Sequence, residues 1–171
     1  FSQNYLMFWD KLERANFILE AIIETADRSS DDRTVAFLLR NPISDGGQWD
    51  MFTALVAKHG VVPKTSMPET ESSANSSRMN ASLNYQTRQG AKHIRDAYAN
   101  ESGLDELRTI KDRTIKVIYD VLCIHLGTPP TEVDWQWKDK DDKFTRSGKL
   151  TPLEFAESYL QTDIHDYVSL V

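Results

Sequence analysis

The chain has 171 residues, of which 40% are hydrophobic and 27% are charged, a balance typical of a soluble globular domain. Its formal net charge of −6 argues against a general affinity for nucleic acid phosphates, and no apolar run approaches the roughly 20 residues of a transmembrane helix. The single cysteine excludes an internal disulfide framework and favours a reducing compartment, which we expect to be the cytoplasm.

The first part of the chain is predicted to be helical. Apolar side chains recur at three- and four-residue steps through residues 4–26 and cover more than one stripe, so this helix is expected in a layered core. A second helix is predicted over 32–40, with Ser30 or Asp31 as its N-cap. A third is predicted over 48–59, directly after two adjacent glycines.

The middle of the chain contains two further helical patterns of different character. Residues 71–102 are mostly polar and predict a surface helix that Gly90 weakens. That surface is either a solvated face or an interaction surface. Residues 103–126 carry regularly spaced leucine and isoleucine side chains and predict a stronger helix, which the following Gly-Thr-Pro-Pro sequence ends.

The last part of the chain predicts a hairpin followed by a short helix. Val133, Trp135 and Trp137 alternate with polar residues before a charged turn, as expected for a strand with one apolar face. Thr151 is placed to cap the final helix, and Glu154 is placed to complete a capping box. Together the patterns predict a mainly α fold with several helices and a small C-terminal β-hairpin.

No side chain stands out as a catalytic group. Cys123 lies inside an apolar helical stretch, where burial makes a thiol inert, and His125 points to another side of that helix. We therefore interpret Cys123 as structural. His59, His93 and His165, like His125, have no helical metal-ligand spacing to one another, so neither a metal site nor a cofactor is predicted.

The stretch "DGGQWDM" is the candidate binding site. Gly46 and Gly47 lack Cβ atoms, so another backbone could lie against them and pair as an added strand. Gln48 and Trp49 could then wall a pocket for the approaching side chain. The alternative is a glycine-assisted turn into a helix, with Trp49 in the core, and the spacing alone does not separate the two.

A resemblance to a known family rests on five stretches: "FSQNYLMFWDKLERANFILE", "LLRNPISDGGQWDMFTALVAKHGVVPKTSMPET", "SSRMNASLN", "LGTPP" and "TPLEF". In this order, and over nearly the whole chain, they are similar to the aminopeptidase C and bleomycin hydrolase family of papain-like cysteine peptidases. The resemblance implies that the chain is an internal segment of an α+β papain-like fold. Residues 1–69 would belong to the helical part of that fold, 70–130 to a helical insertion used in oligomerisation, and 131–171 to the returning hairpin and helix.

The activity that the resemblance implies is that of a thiol-dependent aminopeptidase, which removes N-terminal residues from peptides through an acyl-enzyme. The family's nucleophilic cysteine would precede Phe1, and its catalytic histidine and asparagine would follow Val171. No catalytic residue is therefore expected in this chain, which alone is expected to be inactive. The family further implies peptide substrates and a cytoplasmic homohexamer, without a cofactor, a membrane partner or a specific nucleic acid partner.

The resemblance also assigns a role to the glycine pair. It implies that the backbone of Gly47 binds the substrate main chain, with Gly46 beside it and Gln48 and Trp49 near the pocket for a substrate side chain. Asp45 stands where many papain-like enzymes have asparagine. Two other interpretations stay open, namely a non-catalytic helical interaction module and a peptide-binding module without hydrolysis.

Overall fold

The structure, a computed structural model, describes residues 1–160 and residue 167. This part of the chain contains seven helices and one antiparallel sheet of two strands, in the order α1 Gln3–Glu24, α2 Arg33–Arg40, α3 Trp49–His59, α4 Glu71–Ala74, α5 Ser77–Ala99, α6 Leu104–Leu126, β1 Val133–Lys138, β2 Phe144–Leu150 and α7 Pro152–Tyr159. The predicted mainly α fold with a C-terminal hairpin is confirmed. The helices predicted from periodicity begin and end within about two residues of the observed bounds, except in residues 71–102.

Helix α1 lies at the centre of the fold and packs against α2, α3, α5 and α6. Its N-terminus is fixed by Ser2, whose Oγ accepts a hydrogen bond from Tyr5 N and donates one to Met67 O at 2.5 Å. As predicted, apolar side chains are buried on several sides of α1, among them Phe8, Leu19 and Ile22. Burial of each such side chain stabilises the fold by about 1.5–3 kcal/mol.

Two groups of buried side chains form the core. The first joins α1 to α5 and α6 and continues to the hairpin and α7; it includes Phe8, Met79, Leu83, Ile118, Leu122 and Phe155. The second closes α2 over the C-terminal half of α1; it includes Leu19, Ile22, Val35, Ala91 and Ile94. Helix α5 contributes to both groups and therefore connects the two ends of the core.

Residues 71–102 differ from the single surface helix that was predicted. The short helix α4 is closed by a capping box between Thr70 and Ser73 and ends at Asn75, whose backbone is extended. Helix α5 then starts anew and buries a complete apolar face made of Met79, Leu83, Thr87, Gly90, Ala91 and Ile94. The prediction was wrong because these small and sparse apolar residues lie at three- and four-residue steps, which suffice for burial between two long helices.

Gly90 marks the closest approach of α5 to α6. A Cβ atom added there would lie 2.5 Å from Cγ2 of Thr114. The glycine thus allows the two helices to pack tightly, although it lowers the intrinsic helix propensity of α5.

Helix caps were predicted with mixed success. Helix α2 is capped by Asp32, whose Oδ1 accepts hydrogen bonds from the backbone amides of the first turn, and neither Ser30 nor Asp31 has this role. The predicted capping box of α7 is present: Thr151 N donates to Glu154 Oε2 at 2.7 Å, and Glu154 N donates to Thr151 Oγ1 at 3.2 Å.

The hairpin has the predicted strands and a β-bulge between Trp135 and Gln136. The rings of Trp135 and Trp137 stack with centroids 6.0 Å apart, and both contact Tyr159 of α7. Across the described residues, no helix combines the length and hydrophobicity that crossing a membrane requires.

Candidate functional site

The glycine pair lies in the exposed part of the loop 41–48 between α2 and α3, after the buried Pro42 and Ile43. Neither Gly46 nor Gly47 has a φ in the left-handed region. A Cβ atom added to Gly46 would meet no atom within 4 Å, and one added to Gly47 would lie 3.5 Å from Nη2 of Arg14, an ordinary contact. The packing and backbone of the described residues therefore give no reason for glycine at either position.

Other glycines of the chain do have such a reason. Gly60 ends α3 with a φ of +69°, and a Cβ atom there would lie 2.2 Å from the backbone of Pro152. Gly90 is enclosed by Thr114, as described above. The contrast leaves Gly46 and Gly47 as an open strip of backbone, with Arg14 as its neighbouring side chain, that an approaching chain could contact without meeting a Cβ atom of the strip itself.

A pocket of about 410 Å³ lies beside this strip. Three of the four predicted site residues line it, namely Gly47, Gln48 and Trp49, and Gly46 is adjacent in the chain. The ring of Trp49 packs against Phe52 with centroids 5.2 Å apart and stays half-buried, so it forms a wall of the pocket and is not part of the closed core. Gln48 is exposed and occupies the N-cap position of α3, where its side chain makes no capping hydrogen bond.

Side chains of helix α1 bind this loop. Lys11 is buried, and its Nζ donates hydrogen bonds of 2.6 Å to Ser44 O and to Asp45 Oδ1. Arg14 donates through Nη2 to Gly46 O, while its Nε pairs with Asp10 at 2.8 Å. A buried ammonium group needs such partners because desolvation of an unpaired charge costs several kcal/mol.

Side chains at the start of helix α5 bind the same loop. Asp45 Oδ2 accepts a hydrogen bond from Ser76 Oγ at 2.7 Å, and both carboxylate oxygens accept from Asn80 Nδ2 at 2.9 and 3.0 Å. Partial burial alone would raise the pKa of Asp45, but the hydrogen bonds from Lys11, Asn80 and Ser76 outweigh it and lower the pKa to about 2. Asp45 is therefore an ionised anchor of the loop.

Asn84 adds a second attachment to α5. Its side-chain amide accepts a hydrogen bond from Ile43 N and donates one to Ile43 O, both at 3.0 Å. Sequence analysis missed the roles of Lys11, Asn80 and Asn84. The recurrence of polar side chains at four-residue steps in Ser76, Asn80 and Asn84 was a signal of a shared helix face that could have found two of them.

Among the described residues, Cys123 and the histidines do not form a catalytic group. Cys123 lies half-buried at the edge of the core, which is less burial than predicted. The nearby His125 binds Ser72 Oγ through Nδ1 at 2.8 Å. His93 is exposed on α5, and His165 lies outside the described residues.

His59 belongs to a contact between α1 and the end of α3. Its ring stacks on Trp9 with centroids 4.0 Å apart, and Nε2 lies 2.9 Å from Glu13 Oε1. Burial lowers the pKa of His59 despite the opposing effect of Glu13. Within the described ranges, no group of three or more His, Cys, Asp or Glu side chains is arranged to hold a metal ion.

A second, larger groove of about 560 Å³ lies on the other side of Arg14. Its walls include Phe17 and Phe37, which are 68% and 78% exposed. Arg14 lines both the groove and the pocket beside Gly47, together with Asp10, Met51 and Leu55, so the two cavities share one wall.

Comparison with known proteins gives consistent matches over the whole chain. Residues 1–171 match the model of the Peptidase C1-like family. The chain is 42% identical over 170 residues to Aminopeptidase C of Listeria monocytogenes, covering 99% of this chain and 38% of that protein. It is 40% identical over 175 residues to Bleomycin hydrolase of Homo sapiens, covering 100% of this chain and 38% of that protein.

A solved structure agrees with these matches. The crystal structure of PepW from Lactobacillus rhamnosis superposes with a TM-score of 0.93 at 41% identity, covering 96% of this chain and 37% of that one. The chain thus spans about 38% of the length of the curated relatives that it matches. Because the family model covers every residue of the chain, this protein belongs to the Peptidase C1-like family.

Proposed function

We propose that these 171 residues are part of a thiol-dependent aminopeptidase, a cysteine peptidase that removes N-terminal residues from peptides, and that they supply one wall of its substrate cleft. The relatives named Aminopeptidase C and Bleomycin hydrolase support the activity. The observation that carries the role of this segment is the open backbone of Gly46 and Gly47, for which the described residues give no internal reason.

The geometry of this wall supports peptide binding. The main chain of an extended peptide pairs with the backbone of Gly47 as a short added strand, because Gly47 carries no side chain of its own. The neighbouring pocket, walled by Gln48 and Trp49, receives a substrate side chain. Main-chain hydrogen bonds hold peptides of any sequence, and the pocket selects among side chains.

The chemical step uses groups supplied by the rest of the enzyme. A thiolate attacks the peptide carbonyl, hydrogen-bond donors stabilise the tetrahedral intermediate, and water releases the acyl-enzyme. Cys123 does not serve as the nucleophile, because the nearest histidine along α6, His125, is bound to Ser72. We expect the 171-residue chain alone to be inactive.

Assembly is the proposed role of residues 70–130, between the papain-like parts 1–69 and 131–171. Helices α5 and α6 form a groove of about 460 Å³, whose walls include Gln86, His93 and Arg113. We assign this face to contacts between copies in a cytoplasmic homohexamer. Sedimentation of the full-length protein tests this assignment, since charge-reversing substitutions in the groove would leave a monomer.

Hydrolysis of an aminoacyl fluorogenic substrate tests the activity. The 171-residue chain and the full-length protein would each be assayed with and without a thiol-alkylating reagent. Activity in the full-length protein alone, lost on alkylation, supports the proposal. Alkylation-sensitive activity in the 171-residue chain would instead identify Cys123 as a nucleophile.

A peptide-binding module without hydrolysis is the second candidate. Two observations favour it. A pocket lies beside Gly47, and the described residues bring no cysteine and histidine together. This candidate requires peptide affinity in the full-length protein without turnover, which the same assay combined with a binding measurement would detect.

A further inference from the structure

The loop before the glycine pair is held in place by side chains. Four consecutive residues are each bound by a side chain of α1 or α5: Ile43 by Asn84, Ser44 by Lys11, Asp45 by three side chains, and Gly46 by Arg14. Between residues 42–47 and the other described residues there is no hydrogen bond from backbone to backbone. The loop conformation therefore depends on these side-chain anchors together with the burial of Ile43 in the core.

Helix α5 supplies most of these anchors from one face. Ser76, Asn80 and Asn84 recur at four-residue steps, which places them in a row along the helix. Arg88 continues the row and donates to Leu39 O at 2.9 Å and to Arg40 O at 2.6 Å. The whole connection from the end of α2 to the glycine pair thus lies along α5.

The geometry of the two asparagines constrains orientation as well as position. The amide of Asn84 binds both polar groups of Ile43, so rotation of this residue about the chain axis would break two hydrogen bonds. Asn80 Nδ2 lies nearly equidistant from the two oxygens of Asp45, at 2.9 and 3.0 Å, and so centres the carboxylate that Lys11 also binds. Gly46, bound at its carbonyl by Arg14, and then Gly47 follow directly.

We propose that Asn80 and Asn84 are positioning residues, which act through Ile43 and Asp45 to set the Gly47 backbone against the pocket. This inference rests on the proposed function of the glycine pair as a wall of the cleft. Helix α5 then has a role in substrate binding, although none of its residues lines the pocket. Displacement of the loop would weaken the binding of the peptide main chain and leave the remote chemical groups intact.

The test compares matched variants of the full-length enzyme with a quenched fluorogenic peptide substrate. Asn80→Asp replaces a donor by a carboxylate of the same shape and sets it against Asp45. The double variant Asn80→Asp with Asp45→Asn exchanges the two groups and restores a hydrogen bond between them. Arg95→Ala is the control, because Arg95 also joins α5 to backbone carbonyls, those of Thr25 and Arg28, at the opposite end of the helix.

We expect Asn80→Asp to raise KM about five- to tenfold and to change kcat less than about twofold, with partial recovery of KM in the double variant. Asn84→Ala is expected to raise KM in the same way. Arg95→Ala is expected to lower the melting temperature by a similar amount without raising KM. A purely structural role would instead give the same KM in Asn80→Asp, Asn84→Ala and Arg95→Ala.

The two proposals fail in different ways. Wild-type enzyme that hydrolyses the peptide, together with a KM that is equal in the three variants, would overturn the positioning role alone. Wild-type enzyme that hydrolyses no peptide would overturn the proposed function and the inference that rests on it.

Discussion

The ammonium group of Lys11 lies 2.6 Å from Oδ1 of Asp45, and the two side chains are 1% and 53% exposed. This ion pair connects the buried side of α1 to the exposed loop, because Asp45 directly precedes Gly46 and Gly47. Because the buried charge of Lys11 requires a partner, Asp45 is the counter-ion of this lysine. It is also bound by Ser76 and Asn80, which leaves its carboxylate engaged by the protein itself.

The stability provided by Asp45 is expected to depend on pH. The pKa of its carboxyl group is lowered from the ordinary 3.8 to about 2 in the folded protein. A carboxyl group with a lowered pKa contributes stability above its unfolded pKa and loses that contribution as the pH falls through the folded value. Asp45→Asn should therefore lower the free energy of unfolding at pH 7 by about 1 kcal/mol, an amount that allows for solvent screening of the exposed carboxylate.

Urea unfolding at a series of pH values measures this effect. The difference between wild type and Asp45→Asn should be constant from pH 7 to pH 5 and should shrink between pH 4 and pH 2. Asp141→Asn, at the exposed hairpin tip, is the control and should change little. A difference that does not vary with pH would contradict the assignment of Asp45 as an ionised anchor.

Gly90→Ala should destabilise the packing of α5 on α6. Alanine favours a helix by about 1 kcal/mol over glycine, but its Cβ would lie 2.5 Å from Cγ2 of Thr114, so the helices would have to move apart. We expect a net loss of about 1–2 kcal/mol in the free energy of unfolding, measured by urea denaturation. The double variant Gly90→Ala with Thr114→Ser removes the nearest methyl group and should recover part of the loss. Stabilisation by Gly90→Ala alone would show that the helices are not in tight contact.

Local patterns were sufficient to predict most of the fold. The helix bounds follow from apolar spacing, and the capping box of α7 follows from Thr151 and Glu154, because both involve residues a few positions apart. The hairpin follows from the alternation around Trp135. These elements could be predicted without knowing which distant residues they contact.

The attachment of the loop could not be predicted in the same way. Asn80 and Asn84 bind residues that lie 35 and 41 positions earlier in the chain. The sequence pattern does not distinguish Lys11 from the other charged residues of α1, and its burial depends on the position of Asp45. The surroundings of the glycines could not be predicted either. Gly90 is enclosed and Gly47 is open, and this difference depends on atoms that are distant in the sequence.

Cys123→Ser should leave the activity of the full-length enzyme nearly unchanged. The thiol lies at the edge of the core, so the substitution should cost about 1 kcal/mol of stability through the burial of a more polar group. Alkylation should inactivate wild type and Cys123→Ser at the same rate, because the proposed function assigns the nucleophile to a different thiol. The measurement is the rate of inactivation by iodoacetamide, followed with an aminoacyl substrate. Loss of activity in a folded Cys123→Ser variant would instead place the nucleophile at this position.

Gly47→Val tests the open backbone strip directly. A side chain at this position meets only Nη2 of Arg14 at 3.5 Å, and the backbone does not require glycine, so the melting temperature should change by less than about 2 °C. The same side chain would occupy the space in which a peptide main chain pairs with Gly47. We therefore expect kcat/KM to fall at least about tenfold, which corresponds to about 1.4 kcal/mol of binding in the transition state.

Gly103→Val is the matched control for this substitution. A Cβ atom at Gly103 meets no atom within 4 Å, and this residue lies at the N-cap of α6. Its replacement should leave kcat/KM unchanged, which separates steric blocking of the cleft from a general effect of valine in an exposed loop. If Gly47→Val and Gly103→Val gave the same kinetics, the open strip at Gly46 and Gly47 would not be the surface that the substrate contacts, and the pocket beside Trp49 would have to bind its ligand from another direction.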